Sequence, residues 1–377
     1  FRSLYGISYS LLGTLVLINF VTQLGIDLIF SFFSHRFNIA RTVRLTPVLS
    51  VVGLLLYALS PLLFPKAVYL GLVLGTIVFS ASSGLAEVLI SPTIAALPAK
   101  DPDREMSKLH SIYAWGVVGV IILSTLFLLF CGNTRWQYLP LFFALIPLIS
   151  SILFMGAPIP AMGTPERTTG ALHLLKNKGL WLSVIAIFLG GAAECTMAQW
   201  ASGYLEQALS LPKVWGDVFG AAMFAVMLGL GRSLYAAIGK NLGKVLFFGG
   251  LGATLCYLTA ALSGIPIIGL IACALTGLCT SMLWPGNLTV ASERFPDGGV
   301  FVFAIMAAGG DLGASVGPQL VGVITDATIA SPTAVALAEQ LSLAPEQLGM
   351  KLGMLFGMLF PLIGIFLYYK IWKGKKA

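Results

Sequence analysis

Four carboxylic acids lie inside long apolar stretches: Asp27 in "INFVTQLGIDLIFSFF", Glu87 in "GLAEVLISP", Glu194 in "ECTMAQWASGY" and Asp311 in "GGDLGASVGP". Most of the other acids, out of 15 in all, fall in polar connections. A charge at the centre of a bilayer costs at least about 2.5 to 3.5 kcal/mol, so ionisable residues in such stretches normally face a bundle interior or a watery cavity. Burial also disfavours the bare carboxylate. A carboxyl in a cavity that opens alternately to the two sides of a membrane is placed to take up a proton on one side and release it on the other. Glu87 is the strongest candidate for this proton-coupling chemistry, followed by Asp27, Glu194 and Asp311.

Other residue types gather around these acids. Asn19, Gln23 and Asp27 recur at intervals of four, which on a helix makes one polar stripe that something polar must face. After Glu194, Met197, Ala201 and Tyr204 follow on adjoining parts of one helix face, with Gln199 and Trp200 to either side. Aromatic faces beside amide and carboxyl groups suit a polyol or sugar, with ordinary helix packing as the competing reading. Gly309, Gly310, Gly313 and Gly317 around Asp311 allow close helix approach, read as contact between two halves of the protein. Arg232 near the end of its apolar stretch is expected to snorkel toward the interface, in a structural or gating role. Pro92 and Pro285 are expected to kink their helices and free backbone carbonyls, with Trp284 and Asn287 beside the second kink. His110 and Tyr113 share a face, His110 as a solvated or capping residue at the cytoplasmic end of its span.

Such residues need spans to hold them. Hydropathy gives eleven, at 11–33, 45–64, 68–97, 112–131, 137–156, 181–208, 217–238, 245–263, 265–290, 299–327 and 350–372, each near the roughly 20 residues a helix needs to cross a bilayer core. A chain that is 58% hydrophobic and 10% charged, with mean hydropathy +0.93, is an integral membrane protein. One set of alternate connections carries 17 of the 22 basic residues, including Arg36, Arg41 and Arg44, Lys100, Arg104 and Lys108, Arg167, Lys240, Lys244, Arg294 and the C-terminal lysines. The other side holds Arg2, Lys66, Arg135, Lys213 and Lys351. The positive-inside rule then puts the C-terminus in the cytoplasm and Phe1 outside, and makes the net +7 a topology signal with no nucleic-acid partner. Cys131, Cys195, Cys256, Cys273 and Cys279 form no C-x-x-C pair, so neither a disulfide framework nor a metal site is expected. Phosphate loops, H-E-x-x-H and nucleophile elbows are absent, which argues against an enzyme and against ATP-driven work.

The chain also repeats. "GLAEVLISP" (Gly84 to Pro92) aligns with "GLCTSMLWP" (Gly277 to Pro285), and the following span in each copy carries a glycine pair, Gly116 with Gly119 and Gly310 with Gly313. Both copies point the same way, as in a parallel repeat about an axis along the membrane normal. Five spans precede the long connection 157–180 and six follow it, so a first helix is expected ahead of residue 1.

Taken together these features resemble the major facilitator superfamily, and within it the fucose permease type of sugar porter. That branch carries a glutamate ahead of an Asn-Pro pair in its fourth helix; here "EVLISP" supplies Glu87 and Pro92, with Ser91 in place of the asparagine. Its sugar-binding asparagine is matched by Tyr113, ahead of Trp115 and Gly116, and its first-helix aspartate has no counterpart in this chain. "SHRFNIARTVR" resembles the superfamily's basic loop between helices two and three, with the usual Asp-Arg pair replaced by His35-Arg36, which makes Arg36 a gating residue. In this fold the second helix borders the central cavity, so the resemblance puts Asn19 and Gln23 against water or substrate and Asp27 nearer the cytoplasm, as a proton or solute contact or as a gate.

The expectation is an all-α membrane protein of the major facilitator fold, two six-helix bundles related by pseudo-two-fold symmetry with eleven of twelve helices present. The bundles span 1–156 and 181–377, joined by the cytoplasmic loop 157–180. Its function is read as secondary active import of a small polar solute, above all a sugar, by proton-coupled symport with alternating access. Substrate contacts fall to Asn19, Gln23, Tyr113, Trp115, Gln199, Trp200, Tyr204, Trp284 and Asn287, and gating to Arg36, Arg232, Pro92 and Pro285. The partners are the solute, protons or in their place sodium, and the lipid bilayer; no cofactor is implied. A monomer in a bacterial cytoplasmic membrane is expected. Efflux of amphipathic compounds and solute sensing without transport are the competing functions.

Overall fold

The computed structural model describes residues 2–7, 9–162, 173–211 and 215–374. Arg167, Lys213, Lys375, Lys376 and residues 163–172 of the long connection lie outside them. All regular structure among the described residues is helical, as a lipid environment demands: a helix satisfies its backbone groups within one segment. Among the described residues ten helices are long and apolar enough to cross a membrane: α2 (Ile39–Ala58), α3 (Val68–Ala95), α4 (Pro102–Leu128), α5 (Tyr138–Gly156), α6 (Lys178–Glu206), α7 (Val218–Ile238), α8 (Leu242–Leu262), α9 (Pro266–Arg294), α10 (Pro296–Ala330) and α11 (Pro345–Lys373). Ahead of them runs α1, Tyr9–Phe33, 25 residues or about 37 Å long. All eleven expected spans are therefore helical.

Their ends follow local chemistry. Asn38 caps α2 by accepting from the Arg41 amide at 3.0 Å, and Asn241, at φ 56°, caps α8 by accepting from the Lys244 amide at 3.2 Å. The α4 helix begins ten residues before the expected span, because Asp103 and Glu105 lie in its first turn, where negative charge complements the helix dipole. The α5, α9 and α11 helices are each built of two segments; in α9 these are Pro266–Thr280 and Pro285–Arg294. A short helix, Pro332–Gln340, opens on a Ser331 cap and was not expected.

The chain forms two compact units. One comprises Phe1–Pro98, Ile121–Asn177 and Arg294–Ala308; the other comprises Ala99–Val120, Lys178–Glu293 and Gly309–Ala377. In the first, glycines let α2 and α3 meet almost backbone to backbone: a Cβ on Gly75 would fall 2.7 Å from the Tyr57 amide nitrogen, and one on Gly53 would collide with Phe79. Ser82 Oγ crosses the same contact to the Thr46 carbonyl at 2.6 Å. Arg44 caps the end of α5, its Nε and Nη2 donating to the Phe154 and Ala157 carbonyls at 3.1 and 3.0 Å.

In the second unit a four-residue register seats α10 on α6. Added Cβ atoms at Gly309, Gly313 and Gly317 would strike Val184, the Phe188 carbonyl and Thr196 with Ala192 respectively. These glycines were expected to meet the other half of the protein; the structure instead spends them within this unit, because only bare Cα atoms let α10 lie on the α6 backbone. The repeat also has a matching structural use. Gly84 admits α1 against α3, its would-be Cβ 3.2 Å from Gln23 Cα, and Gly277 admits α7 against α9 at the Phe224 carbonyl.

Candidate functional site

The second unit holds a buried charge knot built from four segments. Arg232 of α7 is 1% exposed and Glu194 of α6 is 8% exposed. Arg232 Nη2 donates to both carboxylate oxygens at 2.9 and 3.0 Å, Nε to the Ser281 carbonyl at 2.9 Å, and Nη1 to the His110 carbonyl at 3.1 Å. Removing two charges from water costs several kcal/mol each, and only such close pairing with further hydrogen bonds offsets it. Arg232 therefore does not snorkel as expected: its charge has a partner in Glu194 and two further acceptors, the Ser281 and His110 carbonyls, within the protein.

The Ser281 carbonyl is available for a simple reason. It lies four residues before Pro285, which has no N–H to donate back to it. Between Thr280 and Pro285 the helix gives way to turns, and the guanidinium takes the bond the proline cannot make. Pro285 thus leaves a carbonyl without its helical donor, and that carbonyl goes to the buried Arg232 instead of facing the cavity. Pro92, by contrast, lies inside the continuous α3, three residues before its last residue, Ala95.

The same α7 face is stitched to the first turns of α4. Ser107 Oγ donates to the Arg232 carbonyl at 2.7 Å, Ser111 and Ser233 hydroxyls lie 2.6 Å apart, Trp115 Nε1 donates to Ser233 Oγ at 3.0 Å, and Tyr235 donates to Asp103 Oδ2 at 2.5 Å. His110 sits in this seam within the body of α4, its Nε2 buried. It is no solvated cap, because the helix already began at Pro102.

The face running from Glu194 to Tyr204 splits by environment. Met197, Ala201 and Tyr204 are fully buried in one core cluster, and the Tyr204 hydroxyl donates to the Ala260 carbonyl. Tyr204 is a packing residue here, not part of a cavity wall as expected. Gln199 is exposed, and half-buried Trp200 donates from Nε1 to the Pro318 carbonyl at 2.9 Å. Asn287, 1% exposed, spends its side-chain amide on the Leu283 carbonyl at 2.6 Å, so it too turns inward instead of toward a substrate. The half-buried Trp284 ring lies over Gly191 and Gly310. Asp311 is buried, while Tyr113 and Trp115 are exposed.

In the first unit the polar stripe meets α3. Ser80 Oγ donates to Asn19 Oδ1 at 2.7 Å, and one turn further along, Gln23 lies at Gly84. Asp27 is fully buried, whereas Glu87 is half-buried. Arg36 is exposed, its guanidinium 5.4 Å from the Phe33 ring centre. Among the described residues no group of three or more His, Cys, Asp or Glu side chains is arranged to hold a metal ion.

The profile of the Major Facilitator Superfamily matches residues 2–318. The chain belongs to that superfamily. No characterised protein sequence matches it significantly. Among solved structures, the E. coli fucose:proton symporter FucP is similar at 16% identity and TM-score 0.62, covering 94% of each chain. FucP in its outward conformation gives 16% identity and TM-score 0.64 over 91% of this chain and 89% of that one. The proton:xylose symporter XylE, bound to 6-bromo-6-deoxy-D-glucose, gives 14% identity and TM-score 0.74 over 98% and 89%. The all-helical fold is thus the major facilitator fold of a multi-pass membrane transporter.

Within this superfamily member, the residues missed in sequence are mainly hydroxyl residues and carbonyls: Ser281, Ser107, Ser111, Ser233 and Ser80. One of them was legible. Counting four back from Pro285 names the carbonyl that needs an outside donor. The serines carry no such signal, since in apolar helices a serine commonly bonds back onto its own helix, as Thr276 does to Ala272.

Proposed function

We propose that this protein is a secondary active transporter that imports a small polar organic solute, in the first place a sugar, by proton-coupled symport and alternating access. The observation that supports this most is the difference between its membrane carboxyls. Glu194 has its charge compensated in place by Arg232, and Asp27 and Asp311 are 0% and 7% exposed. Glu87 alone of the four is half-buried, so it combines a low-dielectric setting with access for proton exchange.

The named substrates of FucP and XylE, fucose and xylose, point the reading toward monosaccharides. Asn19, Gln23, Tyr113, Trp115, Gln199, Trp200 and Trp284 are the candidate solute contacts. They offer amides for hydroxyls and indole faces for C–H surfaces. The basic connections orient the C-terminus toward the cytoplasm.

The test is uptake of a panel of labelled monosaccharides into proteoliposomes under an imposed proton gradient, for wild type and Glu87→Gln. Gradient-driven uptake of one sugar, lost in the variant while sugar exchange persists, is the expected result. Absence of uptake for every sugar by folded protein removes the sugar assignment. Unchanged uphill uptake by Glu87→Gln removes Glu87 as the proton carrier.

A further inference from the structure

We propose that the groove between α8 and α9 binds one anionic phospholipid, with its headgroup on Lys244 and an acyl chain in the cavity beneath. That cavity measures about 310 Å³ and is lined by Lys244, Phe248 and Gly249 of α8 and by Leu278, Cys279 and Met282 of α9. Two features already described create it. Gly249 contributes no side chain to its floor, and α9 leaves its helical path between Thr280 and Pro285.

The chemistry of the groove is divided along its length. Its walls are apolar, and exposed Leu251 and Leu255 of α8 with Ile271 and Leu275 of α9 continue the apolar surface. At its mouth stands Lys244, whose ammonium lies 5.9 Å from the Phe248 ring centre. Among the described residues none of the ion pairs involves Lys244.

Further cations gather at the same end. Gly243 packs on the Trp372 backbone, its would-be Cβ 2.7 Å from Trp372 Cα, and Phe247 and Phe248 lie 5.3 and 5.9 Å from the Trp372 ring. This brings the α8 start, with Lys240 and Lys244, beside the α11 end, with Lys370 and Lys373. Tyr369 and Trp372 mark the depth of the membrane interface, where such aromatics concentrate. A headgroup phosphate resting at that depth meets the lysines, and its acyl chain points down the groove. Basic pockets between helices at the cytoplasmic leaflet, whose lipids are anionic, are suited to this pairing.

The test is native mass spectrometry of the full chain, released from equimolar phosphatidylglycerol and phosphatidylcholine. Wild type, Lys244→Gln and Val245→Phe, which enlarges a side chain lining the groove, are compared, with Lys66→Gln, in the other unit, as a control. Wild type is expected to retain one phosphatidylglycerol in preference to phosphatidylcholine. Losing one lysine near an anionic surface weakens retention about fivefold, Val245→Phe abolishes it, and Lys66→Gln leaves it unchanged. Equal retention of both lipids, or unchanged preference in Lys244→Gln, overturns the proposal. Should Val245→Phe fail to fold, Lys244→Gln, altered at an exposed side chain, decides alone.

Discussion

Arg232→Met is the sharpest test of the charge knot. Methionine keeps much of the apolar stem but deletes four hydrogen bonds. Removing one partner of a buried ion pair costs about 3 to 5 kcal/mol, and the Ser281 carbonyl, left without a donor because Pro285 has none, adds about 1 to 3 kcal/mol, whereas the His110 carbonyl keeps its donor within the α4 helix. Glu194 can neutralise itself by taking a proton, which holds the total toward the lower end, about 5 kcal/mol. Glu194→Gln keeps both carbonyl bonds and still offers Arg232 an amide oxygen, so its expected cost lies at the lower end of the pair range, about 3 kcal/mol. The double variant leaves no lone charge and is expected to be no worse than Arg232→Met, a non-additivity of about 2 to 3 kcal/mol. Arg232→Lys is not expected to rescue, since one ammonium cannot reach the carboxylate and two diverging carbonyls together. The assay is apparent thermal unfolding in detergent, read by a maleimide dye reaching Cys273, which is buried in the fold. Equal single losses that simply add would refute the account, because the Ser281 carbonyl would then contribute nothing and the pair would not be coupled.

Three other predictions follow from packing and hydrogen bonds. Gly313→Ala is expected to lower the apparent melting temperature clearly, since its methyl meets the Phe188 backbone, whereas Gly119→Ala, with nothing described within 4 Å, is expected to be neutral in the same scan. Tyr204→Phe removes a buried hydroxyl donor and is expected to cost about 1 to 3 kcal/mol through the stranded Ala260 carbonyl, with the KM for solute unchanged in a transport assay. Tyr235→Phe breaks the Asp103 contact, a bond to a charged acceptor worth about 1.5 to 3 kcal/mol; the loss is expected to vanish in an Asp103→Ala background, measured by the same unfolding scan.

How much of this was legible depends on the range of the physics involved. The spans were readable because each helix is decided by its own apolar run, and the repeat glycines Gly84 and Gly277 because a missing Cβ serves a close approach in both copies, toward α1 and toward α7; the second repeat pair is not matched, since Gly310 and Gly313 are closely packed while Gly116 and Gly119 have nothing described within 4 Å. The fate of Arg232 was not readable from its own surroundings. Its distance from the end of α7 suggested escape to water, and its partner lies 38 residues away on a different helix. The usable signal was joint: Glu194 and Arg232 each stand inside an apolar span, and each is too costly there alone. The same logic separates the remaining acids. Once Glu194 is committed to Arg232, a cycle that needs a carboxyl to shed and regain its proton has to draw on another acid. In the proposed symport, Glu87, half-buried, would meet that need with less rearrangement than the fully buried Asp27. The knot then has its own consequence for transport. Because the guanidinium fills the break in α9 and ties it to α4, α6 and α7, any motion that straightens or displaces α9 at Ser281 must first give up a charge-assisted bond. Arg232 is therefore expected to govern the rate of conformational exchange, and Glu87 the coupling to protons.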